Sequence, residues 1–191
     1  YYLERHRDKT IDLTGNSRHS KVHLLLEDSG LVANGNAQFF NKINLFTGFP
    51  KANSSIGFNR SWMETLTVHE LTHRYQFDNS IGLNKAVTWL FGNHLAPSLY
   101  STSFVLEGIA VFQESQISPY SGRLNAGLHS AIIDSSIYDK QLPSLMTLIN
   151  DSERFPYDKS YVYGAGFIQY LVTQYGYDAV RSWIQSTGQQ S

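Results

Sequence analysis

An α+β fold, a small sheet followed by helices, is what this sequence predicts. Three observations carry the prediction. Strand-like runs crowd the first 60 residues, helix-like patterns fill the rest, and the two do not alternate. At 191 residues the chain has the length of one domain, with a twisted mixed sheet over about 1–60 and a mostly helical part over about 61–187.

Residues 1–20 are polar and weakly patterned, and fit either a short helix or an entering strand. Val22-His23-Leu24-Leu25-Leu26-Glu27 is the first strand, closed by Asp28-Ser29-Gly30. Asn34-Gly35-Asn36 signals a turn or a bulge, since Gly and Asn tolerate positive φ. Ile43-Asn44-Leu45-Phe46-Thr47 reads as the next strand, ended by Gly48-Phe49-Pro50. Ser61-Trp62-Met63-Glu64 has the form of a capping box and opens a helix to about Phe77. Asn84 can cap a second helix through Leu90 and Phe91. Further helices are expected over about 103–115 and 122–133. Ser160 can cap a helix over 161–175, ended by Gly176, and a last one spans 177–185.

Composition excludes several classes. Hydrophobic residues at 41% and aromatics at 14% support a packed core and argue against disorder. A net charge of −1 gives no basic excess for nucleic acid. No apolar run approaches the roughly 18 residues of a membrane span. The absence of cysteine removes disulfide scaffolds, thiolate metal sites and cysteine nucleophiles. It also suits a periplasmic, cell-envelope or secreted location, where no thiol needs managing. The start at Tyr1 and the polar tail 186–191 read as a piece of a longer chain, fused to other domains. Charged residues at only 16% suit a neutral cleft rather than one for an acidic or basic ligand.

The main chemical signal is His69-Glu70-Leu71-Thr72-His73, an H-E-x-x-H pattern. On a helix, positions i and i+4 share a face, so both imidazoles can point at one metal ion. Imidazole nitrogens suit Zn²⁺, and Glu70 can act as general base on a water that zinc acidifies. A third ligand is needed, and Glu107 in Leu106-Glu107-Gly108-Ile109-Ala110 is the candidate. Gly108 and Ala110 make sense where another helix packs closely. Glu114 lies seven residues later on the same face, as a partner of a ligand histidine or a solvated glutamate. His94 falls in an expected loop, and His6, His19, His23 and His129 show no ligand spacing.

The pieces His69–His73, Glu107-Gly108-Ile109-Ala110 and Tyr161-Val162-Tyr163-Gly164-Ala165-Gly166-Phe167 together resemble the gluzincin zinc metallopeptidases. Within these, the likeness is to the peptidase-MA-like group related to the zinc aminopeptidases and thermolysin. The resemblance implies a zincin-like fold with the H-E-x-x-H helix under the sheet, and zinc held by His69, His73 and Glu107. It implies hydrolysis of peptide bonds, with Glu70 as base and Tyr161, three residues before Gly164, on the oxyanion; Tyr163 is the rival. It also implies that an edge strand near Gly35, Asn36 and Ala37 takes substrate backbone, against a plain hairpin turn. The aminopeptidase motif G-A-M-E-N is missing, so nothing marks a free N-terminus as the target. The aspartate that thermolysin carries four residues after its ligand glutamate is replaced by Val111. The expected function is a zinc peptidase acting on a peptide or protein substrate. The alternative is a non-catalytic zincin-fold scaffold within a larger envelope protein.

Overall fold

The computed structural model describes residues 1–15, 21–28, 30–38, 41–78, 102–149 and 158–187. The architecture is α+β. Helix α1 (Tyr2–Thr14) precedes three strands, β1 (His23–Glu27), β2 (Ala33–Gln38) and β3 (Lys42–Thr47). Helices α2 (Trp62–Asp78), α3 (Ser103–Ser115), α4 (Gly127–Tyr138), α5 (Leu145–Ile149), α6 (Lys159–Tyr175) and α7 (Tyr177–Thr187) follow. A single 3₁₀ turn, Arg123–Asn125, precedes α4. None of these helices is long and apolar enough to cross a membrane.

The sheet runs in the order β1-β3-β2, with β1 parallel and β2 antiparallel to β3. The segment expected as a turn or bulge is β2 itself. Six consecutive pairs, from Ala33 opposite Thr47 to Gln38 opposite Lys42, leave no residue over for a bulge. Asn34 and Gly35 sit in a strand because Gly35 meets a requirement of packing, described below, that local propensity does not encode.

Residues 2–14 form a helix, and it belongs to the helical side of the molecule. Arg181 of α7 pairs with Asp12 at 2.8 Å, and Gln185 donates to the Asp12 carbonyl at 2.9 Å. Leu13 joins Ile109, Phe112, Ile168, Val180 and Ile184 in one apolar cluster among α1, α3, α6 and α7. A second cluster, with Ile43, Leu45, Leu66, Leu71 and Tyr75, lies between the sheet and α2. Helix α2 therefore lies under the sheet with neighbours on every side, and residues 64–76 are all buried.

A helix buried all round must satisfy its polar side chains internally. Thr65, Thr67 and Thr72 do so by donating to the carbonyls four residues back, at 3.2, 2.7 and 2.8 Å. The expected capping box does not form. Ser61 Oγ bonds the Tyr2 hydroxyl at 3.3 Å, and the Glu64 carboxylate turns to His6 (2.6 Å) and Arg5 (3.3 Å) of α1. A charge-assisted contact with a neighbouring helix wins over a local backbone bond. The 3₁₀ turn and α4 stand where one helix over 122–133 was expected, and α6 begins after Asp158, so Ser160 lies inside it. The helix expected from Asn84, together with His94 and His19, lies outside the described residues.

Candidate metal centre

Helix geometry brings His69 and His73 to one face of α2, as their spacing requires. Their Nε2 atoms stand 3.1 Å apart. Glu107 of α3 places Oε2 at 3.1 Å from His69 Nε2 and 3.2 Å from His73 Nε2. These three atoms form a group of metal-ligating type.

The hydrogen-bond network identifies what converges there. Glu114 Oε2 lies 2.9 Å from His69 Nδ1, and a carboxylate only accepts, so Nδ1 carries the hydrogen. Gln76 donates its amide N–H to the Leu106 carbonyl at 3.2 Å, which turns its Oε1 to His73 Nδ1 at 2.9 Å. Nδ1 of His73 is therefore assigned the hydrogen as well. Two Nε2 lone pairs and one carboxylate oxygen are left facing a single point. A cation about 2.0–2.1 Å from three tetrahedral ligands sets them about 3.3 Å apart, close to the spacing seen. The donor set and its spacing fit a metal ion.

Electrostatics agrees with this reading. Burial pulls His69 down, but the hydrogen bonds it donates to Glu107 and Glu114 outweigh it and hold the imidazole at about 9. Burial opposes ionisation of Glu107, and its bonds to His69 and His73 nonetheless hold its carboxyl well below the usual range. A proton on His69 thus stands in for the positive charge that the cluster lacks.

The supporting residues come from several elements. Glu114 is fully buried; the Arg123 main-chain N–H donates to its Oε1 at 2.9 Å and the Arg123 side-chain Nη1 to its Oε2 at 3.1 Å. Burial opposes its charge, and Arg123 with His69 keeps it ionised. Glu114 is thus a partner of the metal-site histidine, not a solvated residue. The bend before Arg123 is made by Gly122, at φ +81, whose N–H donates to Asn59 at 2.7 Å. Arg123 was not singled out from sequence. A lone arginine in Gly122-Arg123-Leu124 has no pattern, and only the return of the chain onto α3 gives it a role. Tyr161 stacks on His69 with ring centres 6.0 Å apart, and the Arg123 guanidinium lies 5.0 Å from its ring centre. Burial and the Glu107 charge push its phenol up, so it stays an O–H donor. Tyr163, the rival, turns away and meets Ser136 Oγ at 2.6 Å.

The close helix packing expected at Gly108 is present, and its partner is α6 rather than the helix that carries His69 and His73. Gly108 packs against α6, where an added Cβ would come 2.5 Å from the Gly164 carbonyl carbon. The close approach therefore joins Glu107's helix to Tyr161's helix. Gly35 has a matching role on the sheet side. A Cβ there would lie 2.7 Å from Glu70 Cγ, so only glycine lets β2 lie against the Glu70 side chain. Glu70 is buried, and its carboxylate has no hydrogen-bond partner among the described residues. Asn36 and Ala37 follow Gly35 along the same edge strand. His6 and His129 are buried but do not belong to the metal-ligating group, and His23 is exposed on β1.

No protein-family model matches this chain, and no curated protein or solved structure matches it either.

Proposed function

We propose that this protein is a zinc-dependent peptidase of gluzincin type with a zincin-like fold. One observation carries the reading: two imidazole Nε2 atoms and a carboxylate oxygen converge at the spacing of a metal's ligands beside Glu70, whose own carboxylate is uncommitted and packs against an edge strand. His69, His73 and Glu107 would hold Zn²⁺. When bound, the ion supplies a Lewis acid that polarises a carbonyl and makes water more acidic.

The remaining roles belong to the chain. The outer edge of β2 takes the substrate backbone as an added strand, with Gly35, Asn36 and Ala37 beside the bond to be cut and Asn34 Oδ1 giving up the Gly35 N–H it accepts at 2.9 Å. Glu70 takes a proton from the attacking water and passes it to the departing amine, so no proton is gained or lost overall. The Tyr161 hydroxyl donates to the oxygen on which negative charge develops. Glu114 and Gln76 hold the two imidazoles in the tautomer that leaves Nε2 free, and Arg123 holds Glu114.

Metal analysis and a Glu70→Gln variant test this together. The purified protein should carry one zinc and cleave peptides in a chelator-sensitive way. The variant should keep its zinc and lose about a thousandfold in rate, within the usual range for a general base. A protein that binds no zinc, or a variant as active as the parent, sinks the proposal. Zinc without turnover on any peptide would point to a metal-holding scaffold instead.

A further inference from the structure

A cavity of about 360 Å³ opens beside the edge strand. Ala33 and Asn34 of β2, Lys51 and Ser55 of the loop before α2, Leu66 of α2, and Arg123 all line it. No aspartate or glutamate lines it.

The Arg123 guanidinium is only partly used. Its Nη1 serves Glu114, and Nε and Nη2 have no partner among the described residues. Neither is among the fully buried atoms left without a bond, so both keep open space beside them. Glu114 neutralises Arg123, whereas the Lys51 ammonium has no ion pair among the described residues. The cavity therefore carries a surplus positive charge and unspent donors in a fork that matches a carboxylate. The loop presenting Lys51 is held by its own turn, with Ser54 donating to the Lys51 carbonyl through both N–H (2.9 Å) and Oγ (2.7 Å).

Strand alternation links this cavity to the cleavage point. Gly35 faces Glu70, and Ala33, two residues away, points to the same face of the sheet. A peptide paired with β2 puts its side chains opposite Gly35 and Ala33 on that face too. The residue beside Ala33 is thus aimed at Lys51 and Arg123 and lies within two residues of the bond beside Glu70.

We propose that this cavity is a subsite for a carboxylate of the substrate peptide, bound by Lys51 and Arg123 within two residues of the scissile bond. The proposal rests on the peptidase reading above. The carboxylate belongs to an internal Asp or Glu side chain or to the C-terminus of the substrate, and the test separates the two.

Zinc-loaded protein is offered two sets of hexapeptides. One has Glu placed at each position in turn with an amidated end; the other is neutral with a free C-terminal carboxylate. A neutral amidated peptide is the reference. One set should be cleaved with a kcat/KM about tenfold above the reference, a modest value for a charge-assisted contact. Lys51→Glu should lower that ratio about tenfold and favour Lys-bearing peptides, with zinc content unchanged. Preference for the first set assigns the side-chain carboxylate, and for the second the C-terminus. Equal cleavage of all three kinds overturns the subsite and leaves the peptidase reading standing. If no peptide is cleaved, that reading fails, and calorimetry with N-acetylglutamate decides the subsite. Binding that Lys51→Glu weakens about tenfold supports it, and no binding overturns it.

Discussion

Helix α2 takes part in two groups in which histidine meets glutamate, and the two are built differently. Near its start, Glu64 meets His6 Nε2 at 2.6 Å, with Arg5 at 3.3 Å. One proton and one guanidinium complete that group. Further along, His69, His73 and Glu107 bring three acceptor atoms within 3.1–3.2 Å of one another, with the histidine protons already committed to Glu114 and Gln76. Residue types and burial are alike in the two places. The difference lies in how many ligand atoms converge: one Nε2 meets Glu64, whereas two share one Glu107 oxygen, a spacing that fits a cation in place of the His69 proton.

Removing a histidine from each group should separate the two most strongly. His69→Ala should weaken zinc binding by about a thousandfold or more, since a ligand is lost and metal binding carries a large free energy. His6→Ala should bind zinc as the parent does and lose about 2 kcal/mol of stability, the usual cost of leaving a buried polar group short of a partner. Zinc calorimetry and urea unfolding read the two effects. Loss of zinc by the His6 variant would show that the groups are not distinct.

The two tyrosines of α6 extend the contrast to the proposed reaction. Tyr161→Phe should lower kcat about a hundredfold with zinc retained, in line with loss of one oxyanion donor. Tyr163→Phe should cost only about 1 kcal/mol of stability through the bond to Ser136. Equal kcat losses would remove the assignment of Tyr161.

A smaller effect is expected behind the metal site. Glu114→Gln should reduce zinc affinity about 10- to 100-fold, the range for a partner that orients a ligand histidine. Zinc competition with a chromophoric chelator measures it, and an unchanged affinity would leave Glu114 a purely structural acid.

The pH dependence separates proton from metal. His69 is raised to about 9 in the metal-free protein, so its stabilising charge is fully present below the unfolded value near 6.5. That contribution is lost as pH rises from there through about 9. Metal-free protein should therefore lose melting temperature across this window, while the gain on adding zinc grows as the competing proton leaves. His129 acts lower: burial and then Arg123 depress it to about 4, so it costs stability only as pH falls below about 6.5. Thermal scans from pH 6.5 to 9, with and without zinc, test the opposed trends, and parallel curves would refute them.

Much of the helical part was legible because its signals are local. The pattern over 103–115 and the glycine at 176 predict α3 and the end of α6 to within a residue or so, since periodicity and a helix-ending glycine act within a few positions. The strand over β2 was not legible in the local pattern, although the resemblance implied an edge strand there. Its Asn-Gly-Asn run has turn chemistry, and the strand persists because β3 pairs with it and Gly35 lets it approach Glu70. Glu64 shows the same limit in the other direction. Its spacing from Ser61 signals a cap, yet α1 offers His6 and Arg5, and a charged partner outweighs a local one.

Covalent order alone set the reactive groups of this protein. It has no thiol; two histidines one helical turn apart, with a glutamate between them, share a helix whose geometry forces them together. Those are consequences of covalent order and helical pitch. Tertiary structure alone decided which distant groups complete them. Glu107 arrives on α3, Glu114 and Arg123 fix the His69 tautomer, and Tyr161 rather than Tyr163 lies against the imidazole. Those outcomes depend on how closely helices and strand pack, at Gly108 against Gly164 and at Gly35 against Glu70. No local pattern in the chain encodes a distance between residues so far apart along it.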